Sequence, residues 1–391
     1  MESMNNSRRV EGIAPFHVMD ILARAKALEA QGRDIIHLEI GEPDFPTPQP
    51  VLDAAIAAMK NGDVHYTPAL GLPELREAIT GFYRDRYKLA IPASRIAVTP
   101  GASGALMLAL GVALDAGDEV LMADPGYPCN RHFARFIDVL PVGVPVGPDT
   151  SFQLTPGLVE RHWTPKTRAV LLASPSNPTG TLARDEDIRE IARLCEDRNA
   201  LLIVDEIYHG LIYGAAPQTA LAHSDQIFVV NSFSKYFHMT GWRLGWLAAP
   251  DWAMNGIERL AQNLYLAAPT PAQFGALAAF SKENMEILES RRLELMARRD
   301  YLAPALREIG FGLPVMPDGA FYLYADISRF ADDSFAFTAR LLEEAGVAIT
   351  PGLDFGVVLP ERYVRFAYTR PLPVLEEAVS RIRRFVAGRL E

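Results

Sequence analysis

The sequence predicts an α/β fold in which helices flank a mostly parallel sheet, with a smaller α+β domain behind it. From about residue 95 to residue 250, short apolar runs alternate with amphipathic stretches, a pattern typical of strands joined by crossover helices. The chain has 391 residues, more than one hydrophobic core usually serves, which favours a second domain. We therefore expect two lobes with a cleft between them.

The predicted elements of the first lobe follow from their local signals. Residues 73–87 form a helix with proline in its first turn and apolar residues at helical spacing. Residues 102–114 and 185–198 carry helix signals between the strands. The strands themselves are short apolar runs at residues 95–99, 119–123, 168–173, 201–204, 226–230 and 246–249.

The pattern changes after about residue 283. Residues 283–309 form a long, charge-laced helix that Pro304 is expected to interrupt, because proline removes a backbone donor. Two strands follow at residues 321–325 and 363–368, with a helix at residues 334–345 between them. A closing amphipathic helix follows at residues 372–390. This part of the chain predicts the smaller α+β lobe.

Composition excludes several classes of protein. The formal net charge is -10 and Lys and Arg form no block, so nucleic acid is not an expected partner. The chain has two cysteines, Cys129 and Cys195, too few for a disulfide framework or a zinc ribbon, which favours a reducing compartment and no metal. The N-terminus lacks a signal peptide and the longest apolar run, residues 105–114, is too short to span a bilayer. We expect a cytoplasmic protein that does not enter membranes.

Polar residues follow the predicted strands at the edge where open parallel sheets bind ligands. The glycine-rich turn of residues 100–104 opens a helix and predicts an anion site, with a tight turn capped by Ser103 as the alternative. Asp205 follows four apolar residues and needs a cation or strong donors if it is buried; otherwise it caps a nearby loop. Lys235 follows another strand and is either a desolvated amine for carbonyl chemistry or an ordinary surface lysine. An aldehyde cofactor with a phosphate and a ring nitrogen requires these three groups in one crevice.

Six motifs carry a resemblance to a known family. In chain order they are GEPDFPTP at residues 41–48, HYTPALGLPELREAI at 65–79, SNPTG at 176–180, DEIY at 205–208, SFSKYFHMTGWRLG at 232–245 and YVRFAYT at 363–369. Together they resemble the class I and II aminotransferases, within fold type I of the pyridoxal-phosphate enzymes. The resemblance implies pyridoxal 5'-phosphate as cofactor and ping-pong transfer of an amino group from an L-amino acid to a 2-oxo acid, in amino-acid metabolism. It also implies a large cofactor-binding domain at residues 46–283 and a small domain at 284–391, against which residues 1–45 pack.

The resemblance assigns a role to each matching residue. Lys235 would form the internal aldimine and move protons as general base and acid. Asp205 would pair with the pyridinium nitrogen, while Tyr127 would stack on the ring. The remaining cofactor contacts are the phenolic-oxygen ligands Asn177 and Tyr208 and the phosphate ligands Ala102, Ser103, Ser232, Ser234 and Arg243.

Substrate binding and assembly are implied in the same way. Arg365 would bind the substrate α-carboxylate, helped by Asn177 and the backbone of Gly41. Tyr66 would reach the phosphate of a neighbouring subunit, which implies a homodimer with shared active sites. A lysine stands at the position of Ser103 in an acidic-substrate branch, so aspartate is not the expected substrate. The segment of residues 13–19 is expected to border the substrate side chain, which favours apolar or aromatic amino acids.

Other reactions remain open at this point. A β-elimination or C–S lyase uses the same fold and cofactor, although the segment MTGWR at residues 239–243 resembles the transaminating branch. A nicotinamide-dependent oxidoreductase also suits an α/β sheet, but no G-x-G-x-x-G follows a predicted strand. A DNA-binding regulator on this fold would need an added basic segment, and the 40 residues before Gly41 are not basic.

Overall fold

A computed structural model describes residues 6–214 and 218–387 of the chain. Its strands are β1 (Ile36–His37), β2 (Ile96–Thr99), β3 (Glu119–Asp124), β4 (Leu140–Pro145), β5 (Thr167–Ala173), β6 (Leu201–Asp205), β7 (Phe228–Ser232), β8 (Gly245–Ala248), β9 (Tyr322–Asp326), β10 (Val347–Ala348), β11 (Thr350–Pro351) and β12 (Tyr363–Ala367).

The helices lie around these strands. They are α1 (Arg8–Glu11), α2 (His17–Ala30), α3 (Gln49–Asn61), α4 (Pro73–Tyr87), α5 (Gly101–Ala113), α6 (Pro128–Phe136), α7 (Pro156–His162), α8 (Asp185–Asp197), α9 (Asp251–Leu264), α10 (Thr270–Ala279), α11 (Lys282–Ile309), α12 (Ser334–Arg340) and α13 (Leu372–Ala387).

A seven-stranded sheet forms the centre of the molecule. Its strand order is β2-β8-β7-β6-β5-β3-β4, and all neighbours are parallel except β8, which runs antiparallel to β2 and β7. The two faces of the sheet pack into two separate hydrophobic clusters, so the central strands are almost continuously apolar. The predicted fold class, a mostly parallel sheet flanked by helices with a smaller α+β part, is confirmed.

The smaller part contains a three-stranded antiparallel sheet of order β11-β12-β9. The N-terminal segment joins it, because β1 pairs in parallel with β10. Helix α2 buries Ile21, Ala25 and Leu28 in the same apolar cluster as Leu342 and Ala348. These contacts agree with an N-terminal segment that packs on the C-terminal third, while the boundaries at residues 45/46 and 283/284 stay predictions.

Three of the differences from the sequence-based expectation concern β4, α11 and the helix that begins at Ser334. The sheet has a seventh strand, β4, whose sequence LPVGVP contains two prolines and is tolerated because β4 lies at the sheet edge. Helix α11 continues through Pro304, since Leu302 and Leu306 are fully buried and their packing offsets one lost backbone hydrogen bond. The helix predicted at residues 334–345 ends in a π-helical turn over Leu341–Ala345. Residues 388–390 of the predicted closing helix lie outside the described part of the chain.

Candidate active site

A cavity of about 250 Å³ lies at the carboxyl ends of β5, β6 and β7, between the large sheet and the smaller part. Parallel strands end at this edge, so residues far apart in sequence meet there. Apart from Tyr66, every residue predicted from the sequence lines this cavity: Gly41, Ala102, Ser103, Tyr127, Asn177, Asp205, Tyr208, Ser232, Ser234, Lys235, Arg243 and Arg365.

Lys235 follows β7 and projects its amine into the cavity. Its Nζ donates a hydrogen bond to the carbonyl oxygen of Gly41 at 2.6 Å. Burial lowers the pKa of Lys235 to about 8, and the negative charge of Glu42 opposes part of this effect. A substantial fraction of the amine is therefore neutral near physiological pH, the form that attacks a carbonyl carbon.

Asp205 is the last residue of β6 and is buried in the same cavity. Its Oδ1 accepts one hydrogen bond, from the backbone N–H of Ile207 at 3.0 Å. Burial raises the pKa of Asp205 to about 6, and the hydrogen bond from Ile207 N–H and then the charge of Lys235 oppose part of this rise. Within the described residues no cation forms an ion pair with this carboxylate, so a cationic ligand would stabilise its charged form.

The start of α5 and the turn after β7 form a compact polar cradle. Ser232 Oγ donates to Ser234 Oγ at 3.0 Å and also accepts from the Ser234 backbone N–H at 3.0 Å. Gly101 begins α5 with φ +72°, and a Cβ there would lie 2.8 Å from an Arg243 amino nitrogen. Free N–H groups of a helix start, hydroxyls and a guanidinium are ligands that suit a phosphate.

Arg365 lies in β12 and is buried against several acceptors. Its Nη1 donates to Asn177 Oδ1 at 2.9 Å, and its Nη2 donates to the Glu39 carbonyl oxygen at 2.5 Å and to Thr350 Oγ1 at 3.2 Å. The third nitrogen, Nε, is buried without a partner among the described residues. Arg365 lines the cavity, and a buried guanidinium with unused donors suits an incoming carboxylate.

Tyr66 does not line the cavity of its own chain. It lies in the loop before α4 and is 84% exposed. Its predicted contact with the phosphate of another subunit stays a prediction.

Sequence reasoning missed Tyr322, which lines the cavity from β9. Its hydroxyl lies 2.8 Å from the hydroxyl of Tyr208, and its ring lies 4.4 Å from the guanidinium carbon of Arg365. A tyrosine within the apolar run YLYAD is typical of a core position, so the sequence carried no signal for this role.

An apolar wall completes the cavity. Phe16, Val18 and Met19 line it, in agreement with the expectation that residues 13–19 border it. Further apolar lining comes from residues that the sequence did not single out: Ile40, Leu106, Phe133 and Ile207.

The residues present fit pyridoxal phosphate. The molecule requires an amine for its aldehyde, an anion for its ring nitrogen and donors for its phosphate. Lys235, Asp205 and the cradle around Ser232 and Ser234 supply these groups in one cavity. The buried carboxylate of Asp205, which has no cationic partner within the described chain, is the observation that fits most specifically.

Comparisons with known proteins identify the family of this chain. The family described as aminotransferase class I and II matches residues 33–382. A valine–pyruvate aminotransferase of Mycobacterium tuberculosis is 40% identical over 95% of this chain and 96% of its own length. An aspartate aminotransferase of Bacillus subtilis is 36% identical over 98% of this chain and 99% of its own length.

The fold is also similar to that of a solved structure. The crystal structure of an aminotransferase from Mycobacterium tuberculosis superimposes with a TM-score of 0.95 at 39% identity, over 99% of this chain and 100% of that one. Within residues 6–214 and 218–387, no helix is both long and apolar enough to cross a bilayer. The chain is therefore an enzyme of the class I and II aminotransferase family, whose members use pyridoxal 5'-phosphate.

Proposed function

We propose that this aminotransferase takes the amino group of an L-amino acid with an apolar side chain and passes it to a 2-oxo acid in two half-reactions at one site. The apolar wall formed by Phe16, Val18, Met19, Leu106 and Phe133 is the observation that carries this proposal. An apolar side chain gains free energy by displacing water from such a wall.

The charges in the cavity support the same choice of substrate. Within the described residues, the cations that line it are Lys235, Arg243 and Arg365. The proposed cofactor engages Lys235 and Arg243, and the α-carboxylate engages Arg365. No lining cation is then left for a side-chain carboxylate, whose burial without a partner is costly. The relatives bear names of both kinds, valine–pyruvate and aspartate aminotransferase, so this distinction needs an experiment.

The proposed mechanism assigns proton transfer to Lys235. When bound, pyridoxal 5'-phosphate supplies an aldehyde that condenses with amines and a ring that withdraws electrons from the substrate Cα. As a free amine, Lys235 Nζ would accept the proton from the substrate Cα and would then donate that proton to the carbon that receives it on the cofactor. The lowered pKa of about 8 suits a group that must act as base and acid in turn.

Other residues orient the reactants. Asp205 would keep the ring nitrogen protonated by placing a buried negative charge beside it. Asn177 and Tyr208 would hydrogen-bond the phenolic oxygen, and Tyr127 would stack on the ring. The phosphate would be held by the members of the polar cradle: Ala102, Ser103, Ser232, Ser234 and Arg243. Gly41 and Arg365 would bind the α-carboxylate and help to exclude water from the reacting carbon.

A panel of single-turnover reactions tests the substrate class. Each L-amino acid is mixed with holoenzyme, and the decay of the visible cofactor band is followed without any 2-oxo acid. We expect valine and larger apolar amino acids to convert the band at least about tenfold faster than aspartate, because burial of an unpaired side-chain carboxylate costs more than the roughly 1.4 kcal/mol to which this factor corresponds. Faster conversion by aspartate than by every apolar amino acid would overturn the proposed specificity.

Substitution of Arg365 by leucine tests the carboxylate site. We expect KM to rise roughly 100-fold for the amino acid and for the 2-oxo acid alike, because both lose the same charge-assisted hydrogen bonds. Arg362→Leu is the matched control, since Arg362 precedes the same strand but pairs with Asp326 outside the cavity. An increase in KM for one substrate only would show that Arg365 binds something other than the shared carboxylate.

We further propose a homodimer in the cytoplasm. The exposed Tyr66 supports the dimer, because a tyrosine that serves a second subunit must project from its own chain. Cys129 and Cys195 are both free, as thiols are in a reducing compartment. Sedimentation tests the dimer, and both wild type and Tyr66→Phe are expected to sediment as dimers. The variant is also expected to bind the cofactor phosphate more weakly.

A further inference from the structure

We propose that Tyr322 is a positioning residue that couples the cofactor's phenolic oxygen to the arginine that binds the substrate carboxylate. The inference rests on the proposed function, since Tyr322 would act through Tyr208 and Arg365. Tyr322 is 1% exposed, begins β9 and lines the cavity. It contacts both groups at once, one with its hydroxyl and the other with its ring.

The hydroxyl contact has a defined direction once the cofactor is bound. Tyr208 Oη and Tyr322 Oη lie 2.8 Å apart, and each carries a single proton. If Tyr208 donates its proton to the phenolic oxygen, Tyr322 must be the donor to Tyr208. A donor that itself accepts a hydrogen bond is polarised and becomes a stronger donor. Burial raises the pKa of both tyrosines, so both keep their protons at neutral pH.

The ring contact acts on Arg365. The guanidinium carbon lies 4.4 Å from the centre of the Tyr322 ring and 4.9 Å from that of Phe355. Two aromatic rings attract the charged group, and Arg365 is only 3% exposed. They also restrict the planar guanidinium to one orientation, in which Nε is buried without a hydrogen-bond partner among the described residues. The Tyr322 ring therefore fixes the orientation of the guanidinium that would bind the substrate carboxylate.

Gly41 extends the contact to the lysine. A Cβ at Gly41 would lie only 2.1 Å from Tyr322 Oη, so the backbone of Gly41 can approach the hydroxyl only because it has no side chain. The carbonyl oxygen of Gly41 accepts the hydrogen bond from Lys235 Nζ. Tyr322 thus contacts Gly41, which accepts the hydrogen bond from Lys235, and it also contacts Arg365 and Tyr208. Its position therefore sets the distances among these groups.

A pH titration of the visible absorbance of the resting holoenzyme tests the hydroxyl. In Tyr322→Phe, Tyr208 becomes a weaker donor and leaves more negative charge on the phenolic oxygen. That charge would hold more tightly the proton on the nitrogen that joins the cofactor to Lys235. We expect the pKa of the chromophore to rise by about half a unit, with a larger rise in Tyr208→Phe. The double variant is expected to match Tyr208→Phe alone, because the Tyr322 hydroxyl reaches the phenolic oxygen only through Tyr208.

The neighbouring tyrosine of the same strand provides a matched control. Tyr324 is buried on the same face of β9, and its hydroxyl has no hydrogen-bond partner among the described residues. Tyr324→Phe therefore makes the same chemical change two residues away and should leave the chromophore pKa unchanged. Equal shifts in Tyr322→Phe and Tyr324→Phe, or additive shifts in the double variant, would overturn the proposed coupling.

Removal of the ring tests the second contact. Tyr322→Leu is expected to raise KM for the amino acid and the 2-oxo acid about tenfold beyond Tyr322→Phe, through loss of a desolvated cation–π contact, with a smaller change in kcat. Equal KM values for the leucine and phenylalanine variants would contradict the role of the ring. Thermal unfolding of the holoenzymes measures stability separately. If Tyr322 were merely structural, its replacement would lower the unfolding temperature without raising KM more than it changes kcat.

The design separates this inference from the proposed function. If Tyr208→Phe leaves the chromophore pKa unchanged, the proposed orientation of the cofactor is wrong and the inference fails with it. If Tyr208→Phe shifts that pKa and Tyr322→Phe does not, the orientation stands and only the role of Tyr322 is overturned.

Discussion

Substitution of Lys235 by alanine is expected to lower kcat by at least about 10⁴-fold, because the variant loses both the covalent anchor and the general base. The visible band of the lysine-bound cofactor should disappear, although the phosphate cradle and Asp205 still bind the free cofactor. Added ethylamine is expected to restore part of the rate, since a small amine can occupy the space of the missing side chain. Steady-state kinetics and absorbance spectra measure these effects.

Lys166→Ala serves as the control for this experiment. Lys166 is an exposed lysine before β5 and lies outside the cavity, so its removal should leave kcat and the spectrum intact. A Lys235→Ala variant that keeps more than a few per cent of the wild-type kcat would exclude Lys235 as the proton-transfer group.

Replacement of Asp205 by asparagine is expected to change activity and stability in opposite directions. Removing one member of a buried charge pair costs several kcal/mol, so kcat should fall by roughly three orders of magnitude. In the cofactor-free protein the same carboxylate has no cationic partner within the described residues. Its pKa of about 6 exceeds the ordinary 3.8, so the folded state binds the proton more tightly than the unfolded state does.

This difference sets the pH dependence of stability. The ionised carboxylate destabilises the cofactor-free fold, with a cost that grows as pH rises from 3.8 to about 6 and then stays constant. Asp205→Asn should therefore raise the free energy of unfolding of the cofactor-free protein by about 3 kcal/mol at pH 7, and by little below pH 4. Asparagine keeps an oxygen to accept from Ile207 N–H, so that hydrogen bond survives.

Urea unfolding with and without cofactor measures the two effects. Asp187→Asn is the control, because Asp187 is a buried carboxylate of α8 that pairs with Arg184 outside the cavity. That variant is expected to keep its kcat and to lose stability. A destabilised cofactor-free Asp205→Asn protein at pH 7 would contradict the idea that Asp205 is held charged and unpaired for a ligand.

The sequence allowed the sheet-edge residues to be predicted because their signal is local. Asp205 and Lys235 each follow an apolar run, and parallel strands bring such exits to one edge. The edge strand β4 was not predicted because its two prolines and its glycine are typical of a loop. At the edge of the sheet the backbone donors that the prolines lack are not required for pairing with a further strand.

Contacts between the two parts of the chain could not be predicted in the same way. The hydrogen bond from Arg365 to Asn177 joins residues 188 positions apart and depends on how β12 lies over the large sheet. Tyr322 enters the site only through the antiparallel register of β9 and β12, in which Tyr322 lies opposite Ala367. Neither the alternation of apolar residues nor the spacing of polar ones encodes this register across distant segments.

Chemical trapping can identify the residue to which the cofactor is covalently attached. Borohydride reduction of the holoenzyme makes the bond between cofactor and amine permanent, and protease digestion with mass spectrometry then identifies the modified residue. We expect the mass of the reduced cofactor on the peptide that contains Lys235, and on no other lysine. Cofactor mass on a different lysine, or an unmodified Lys235 peptide from protein that shows the visible band, would contradict it.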